Sequence, residues 1–335
     1  MPHSKIVVLA FGNPQRSAST IYRIAQYEQL FNQQQATIQY ITKKNIGYHS
    51  LWNIRNADVV INQKCFINTW LGRAIARTAK RLVLDFDDAT WARPKKAFHP
   101  IKLWQIEYRL KWWANASDHV IAANSYLAQH LKNSKNISVI PMSLDLQLWS
   151  PCDQEISSKQ GIVMGWAGSP VSFPYLEAIA PALRIALEKN PRLRLAIYSG
   201  QRPKLNVPFE YVPFKRGTEH TFVRTLDIGL LPLADDESAR GKSPMKAIQY
   251  LACAVPVVGN RVGATADILT PSNSIQASAP EQWVQAIDLL VCDKTLRTKM
   301  GLAGREKAEN CFDYHKVGKQ FVQLVLPNVE YANHP

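Results

Sequence analysis

The chain is predicted to be α/β, built from two similar doubly wound domains, and three observations carry that prediction. Short apolar runs alternate with amphipathic segments along almost the whole sequence, as buried parallel strands alternate with crossover helices. The 335 residues are enough for two separate cores. Near the middle, Pro141 and Pro151 bracket a segment that cannot be an unbroken helix and therefore suits a hinge.

In the first half, short apolar runs ended by polar or turn residues predict strands at Ile6–Phe11, Val59–Asn62, Leu82–Phe86, His119–Ala122 and Ser138–Ile140. Amphipathic segments between them predict helices at Ala18–Phe31, Thr69–Lys80, Ile101–Ala114 and Ser125–Lys132. In the second half, strands are expected at Gly161–Trp166, Leu193–Tyr198, Tyr211–Pro213, Asp227–Leu231 and Val257–Gly259. Helices are expected at Phe173–Glu188, Pro244–Cys253, Glu281–Val291, Lys294–Asn310 and, last, about Tyr314–Leu326. This places one domain over residues 1–145, a second over 146–312 and a terminal helix over 313–330. No repeat of fixed period is visible.

A 46% hydrophobic and 10% aromatic content excludes a mainly disordered chain. Met1–Lys5 leads straight into an apolar run too short for a signal core, and no run approaches the length of a spanning helix. The five cysteines, Cys65, Cys152, Cys253, Cys292 and Cys311, have no Cys-x-x-Cys spacing, which suits a reducing cytosol and argues against a zinc site. Of the net charge of +14, residues 1–150 carry +11 (19 Lys and Arg against 8 Asp and Glu). The first half therefore expects an anionic neighbour: nucleic acid, phospholipid or a pyrophosphate-linked substrate.

The stretch Leu226–Leu269, LDIGLLPLADDESARGKSPMKAIQYLACAVPVVGNRVGATADIL, is the most informative. It reads as a buried strand, a mixed-charge loop holding Glu237, Arg240 and Lys242, a helix with Lys246 in its first turn, and a second buried strand. Ser243 before Pro244 is a helix-start signal. Cations beside free N–H groups at the end of a parallel strand make an anion site, most naturally for phosphate.

The pattern Gly-Lys-Ser-x-x-Lys-x-x-Gln-Tyr-Leu-Ala-x-x-x-Pro-Val-Val resembles the donor-binding signature of family-4-like retaining glycosyltransferases of GT-B fold. It is closest to a bacterial subset with Gln, here Gln249, before the Tyr. The resemblance implies two Rossmann-like domains facing across a cleft, with the first as acceptor domain. It implies a nucleotide-diphosphate sugar as co-substrate and no metal or other cofactor. The first Glu of the family's Glu-x7-Glu motif falls on Gly241, so its contact would come from Asp236 or Glu237, or be absent.

Three further stretches extend the resemblance. In Gly161–Leu176, Gly165 and Gly168 permit close backbone approach to a ligand, and Ser172 suits a helix cap. This is similar to the subset's Gly-Trp-x-Gly-Ser-Pro turn, which implies that Gly168 and Ser169 face the donor. The Arg and Lys that clamp the diphosphate in commoner relatives are missing, leaving Arg240, Lys242 and Lys246 to neutralise it. In Arg81–Trp91, Asp85 and Asp87 share a strand face and Asp88 lies at its end. These carboxylates suit a divalent cation. The resemblance instead lays Asp87 and Asp88 over the His-Asp pair of relatives, as catalytic residues. In Phe11–Gln26, Gly12 and Asn13 suit a loop near the diphosphate, and Ser17–Thr20 can cap the next helix. Arg23 matches a subset position expected at acceptor or donor phosphate, and also suits an ordinary solvated helix residue.

Finally, Trp91–Trp113 interleaves Arg93, Lys95, Lys96 and Lys102 with Trp91, Trp104, Tyr108 and Trp112. Such a segment lies well on an anionic bilayer, and equally on the protein's own sheet with its cations in water. The expectation is a cytoplasmic hexosyltransferase, peripheral at the inner face of the plasma membrane. It would act on a cell-envelope glycan or lipid-linked acceptor. The alternatives are a GT-B-like epimerase or phosphorylase, an inactive partner subunit, and a basic nucleic-acid-binding protein. The last lacks any recognisable binding module.

Overall fold

The computed structural model describes residues 3–92, 98–134, 136–151 and 161–327. It divides into two compact units. The first comprises Met1–Ser143, Arg240–Ser243 and His315–Pro335; the second comprises Leu144–Ala239 and Pro244–Tyr314.

The first unit holds one sheet of six parallel strands: β1 (Ser4–Ala10), β2 (Ala36–Thr42), β3 (Val59–Gln63), β4 (Leu82–Phe86), β5 (His119–Ala122) and β6 (Ile137–Val139). Their order is β2-β1-β3-β4-β5-β6. Every residue of β3 and β4 is buried, as a parallel sheet covered on both faces requires. Val7, Leu9, Val60, Leu82, Leu84, Phe86 and Val120 pack on one side with Leu110 and Trp113 of helix Pro100–Ala116. Strand β2 was not expected. It is an edge strand whose alternating buried and exposed residues give no continuous apolar run.

The second unit repeats the plan with β7 (Ile162–Ala167), β8 (Leu193–Ser199), β9 (Glu210–Pro213), β10 (Ile228–Leu231), β11 (Val257–Gly259) and β12 (Ser274–Gln276). The order is β12-β11-β10-β7-β8-β9, again all parallel. Here β12, a three-residue edge strand, is the unexpected one.

Two expected helices are broken in two. Ala18–Phe31 becomes Ala18–Arg23, a 3-10 turn and Glu28–Gln33. Ile24, Tyr27, Leu30 and Phe31 are all buried, so the apolar spacing runs through the break. Phe173–Glu188 divides at Ile179 because Pro181 can only occupy the first turn of a new helix, Ala180–Lys189. The terminal helix Tyr314–Val325 lies in the first unit from His315 onward. Gly318 makes its approach possible, since a Cβ there would stand 2.8 Å from the Tyr27 ring.

Candidate functional site

In each sheet the strand order reverses at one place, and that is where the candidate residues gather. Chains leaving neighbouring strands toward opposite faces open a crevice at the carboxyl ends, the usual ligand site of open α/β sheets. In the second sheet the reversal lies between β7 and β10, and in the first between β1 and β3.

In the second unit, β7 ends at Ala167 and turns at Gly168 and the exposed Ser169. A Cβ at Gly168 would overlap the Trp166 ring and stand 2.6 Å from Lys246 Nζ. Lys246 belongs to the first turn of helix Met245–Ala252, and its Nζ lies 4.6 Å from the centre of the Trp166 ring. Gly168 is thus a backbone surface bordered by an ammonium group. Tyr250, one turn on, accepts a hydrogen bond from Ala167 N at 3.1 Å and donates to Leu230 O at 3.3 Å. It ties β7 to β10 from beneath, and full burial pushes its phenol well above the usual value. Gly229 leaves room for that ring. Gln249 lies buried on the same helix. Asp236 accepts from Tyr175 Oη at 3.0 Å and from Ala239 N at 2.8 Å, while Glu237 is exposed.

In the first unit, the loop after β1 is closed by Asn13, whose carbonyl accepts from Ser17 N at 2.8 Å. Ser17 caps the next helix by accepting from Thr20 N. Gly12 is required there, because a Cβ would collide with Ser17. Beside this loop lies an acidic centre whose cation, Lys64, was not among the expected site residues. Lys64 Nζ donates to Asp87 Oδ1 at 2.5 Å and to Asp88 Oδ2 at 2.9 Å. Ser19 Oγ donates to Asp87 Oδ2 at 2.6 Å. Asp87 is 3% exposed and Lys64 4%, whereas the Asp88 side chain is 48% exposed. Burial works against the charge on Lys64, but Asp87 and Asp88 outweigh it and hold the ammonium above its ordinary value.

Lys64 also has a left-handed backbone, φ +40. That costs a non-glycine residue about 1–2 kcal/mol. The turn is held by Asn62, whose Oδ1 accepts from Cys65 N at 2.9 Å, while Lys64 N donates to Asp85 O at 2.8 Å.

Arg23 is placed differently from expectation. It is 1% exposed; its Nε and Nη2 donate to Asp85, and Nη1 donates to the carbonyl of Ile140 at 2.6 Å. Burial opposes its charge, and Asp85 more than offsets this. The side chain is a buried strut within the first unit, not a solvated helix residue. Asp85, expected on the face of Asp87, serves as its fully buried partner.

Neither a protein-family model nor any curated protein sequence matches the chain. Solved structures do match it. HepE of Anabaena, solved with UDP and glucose, aligns over 97% of this chain and 100% of its own, with 13% identity and a TM-score of 0.71. Sucrose-phosphate synthase of Thermosynechococcus elongatus aligns over 97% and 99%, with 14% identity and a TM-score of 0.74. A glycosyltransferase of Rickettsia africae aligns over 98% and 100%, with 11% identity and a TM-score of 0.70. The fold is GT-B.

Within this GT-B chain the expected cationic group is divided. The exposed Arg240 and Lys242 pack with the first unit, and Lys246 belongs to the second. Ser243, expected to cap its helix, instead donates to the carbonyl of Asp87 at 2.6 Å. Gly241 is packed against Ala89, and any Cβ there would overlap the Ala89 methyl group. A glutamate cannot occupy position 241 while Ala89 stays in place. Gly241→Glu is therefore expected to destabilise the protein by about 1–3 kcal/mol through overpacking. Ala89→Gly should recover a measurable part of that loss in urea unfolding. A Gly241→Glu protein as stable as the parent would show that the two segments do not meet.

Arg93, Lys95 and Lys96 lie outside the described residues. Trp104, on helix Pro100–Ala116, is 64% exposed and stacks on Tyr108 at 5.6 Å. Among the described residues, no helix is long and apolar enough to cross a membrane.

Proposed function

We propose that this chain is a retaining glycosyltransferase that moves a sugar from a nucleotide-diphosphate sugar to a cell-envelope glycan or lipid-linked acceptor. The observation that carries this reading is the Gly168 surface at the carboxyl end of β7, bordered by Lys246 and placed where the sheet order reverses. An open backbone turn beside a fixed cation suits a diphosphate, whose charge grows as the sugar–oxygen bond breaks. Gly12, Ser169, Arg240 and Lys242 are assigned to the same co-substrate, Gln249 to a ribose hydroxyl, and Glu237 to the contact that relatives make with their first Glu. Asp87 and Asp88 form the acidic centre. No metal or further cofactor is assigned. HepE, solved with UDP and glucose, supports a nucleotide-sugar co-substrate.

The reading also places the protein at the inner face of an anionic membrane. Trp52, Trp70 and Trp104 are exposed on three neighbouring helices that carry Arg55, Arg73, Arg77, Lys102, Arg109 and Lys111 against Glu107. Interfacial tryptophans among cations suit anionic lipid headgroups.

A thermal-shift screen of nucleoside diphosphates and their sugars tests the transferase reading. One base is expected to raise the melting temperature in proportion to ln(1 + [L]/Kd), and its sugar to be transferred with retention. No shift at millimolar concentrations with any of them would sink it. Flotation with anionic against neutral vesicles tests the membrane assignment, with binding to anionic vesicles expected to weaken in Trp104→Ser.

A further inference from the structure

We propose that Lys64 is a positioning residue: its ammonium fixes the carboxylate of Asp88, and Asp88, not Asp87, meets the sugar substrate. The sugar in this proposal rests on the transferase reading; the geometry does not. Both oxygens of Asp87 are already engaged, one by Ser19 and one by Lys64, and its main-chain carbonyl accepts from Ser243. A carboxylate so enclosed has little left to offer a ligand. Among the described residues Asp88 is held through Oδ2 alone, and about half of its side chain faces solvent.

The nitrogen that joins the two is itself enclosed. Phe11, from the loop after β1, lies over it with Nζ 4.7 Å from the ring centre. An exposed ion pair is weakened by water and salt, but one whose cation is sealed keeps its orientation. Three segments, the β1 loop, the turn after β3 and the end of β4, thus converge on one ammonium group. The strained backbone of Lys64 is consistent with its side chain being needed at that point, since strain of this kind collects where a residue is held for function. Nothing in the spacing of Lys64 along the sequence marks it.

Lys64→Met alone would strand the buried Asp87 charge, so the informative comparison is Asp87→Asn against Lys64→Met/Asp87→Asn. Both should fold, since neither strands a buried charge: the first keeps the Lys64–Asp88 pair, and the second keeps only Asp88, whose side chain is half-exposed. With the nucleotide sugar identified by the thermal-shift screen, the double variant is expected to lose about 100-fold in kcat relative to Asp87→Asn, with donor KM unchanged. Lys64→Arg in the Asp87→Asn background should restore part of the rate. Equal kcat in the two variants, or no recovery of rate with Lys64→Arg, would overturn the proposal. If the parent protein turns over no nucleotide sugar, the transferase reading fails, and a crystal structure of the double variant decides the positioning claim. A displaced Asp88 carboxylate supports it and an unmoved one overturns it.

Discussion

Replacing Lys246 with alanine is expected to lower kcat/KM for sugar transfer by about 10²–10³-fold, the range for removing one preorganised partner of a developing charge. The expectation follows from where the side chain is anchored. Its aliphatic stem leads from the first turn of helix Met245–Ala252 and its Nζ lies against Trp166, directed at the turn where Gly168 has no side chain. A diphosphate resting on that turn would be held by the ammonium and by the N–H groups at the start of the helix. Folding asks much less of the residue. Lys246 is only half-buried, and a cation over an aromatic ring contributes about 0.5–1 kcal/mol at an open site. The melting temperature should therefore stay close to that of the parent while turnover collapses. Single-turnover assays with saturating nucleotide sugar, run beside thermal melts, check this. Near-normal transfer by a folded Lys246→Ala protein would remove the residue from the site and leave the Gly168 turn without its cation.

The fold was legible where strands are buried on both faces, and illegible at the sheet margins. Strands β1, β3, β4, β7 and β10 are each built on a short apolar run covered by helices, and all five were expected within a residue or two. Strand β2 alternates and β12 is only three residues long, so the runs that mark central strands are missing there. In the candidate site, local chemistry was legible and distant pairing was not. Gly12 and Gly168 could be read from turn geometry, and both are places where a Cβ would collide. Lys64 could not, since its partners lie 23 and 24 residues away and no periodicity links them. The signal present in the sequence is the polar run Asn62-Gln63-Lys64 that ends the apolar run Val59–Ile61. The departure at Gly241 is explained by the same kind of distant contact. The small residues Ala89 and Gly241 pack together, so the absence of a glutamate at 241 and the Asp-Asp-Ala sequence are two sides of one fit.

Arg23→Met is expected to destabilise the first unit by about 3–5 kcal/mol, because it leaves Asp85 ionised and alone in the interior. Asp85 is fully buried, and besides Arg23 its surroundings supply the like charge of Asp87 and the opposite charge of Lys64. The guanidinium also donates to the carbonyl oxygens of Ile140 and Pro141, so the substitution loosens the chain just before Leu144, where the second unit begins. The cost belongs to the stranded charge more than to the ion pair. Replacing both partners, as in Arg23→Met/Asp85→Leu, should therefore recover most of the lost stability, since buried ion pairs are often matched by well-packed apolar groups. Urea unfolding of the parent, the single and the double variant measures this directly. A residue that contacts an acceptor behaves in the opposite way. Arg23→Met would then keep its stability and lose acceptor affinity, and the double variant would be no better than the single one. Recovery of both stability and turnover in the double variant would show that the role of Arg23 is to hold β4 and the Ile140–Pro141 segment together, with acceptor recognition carried by other residues.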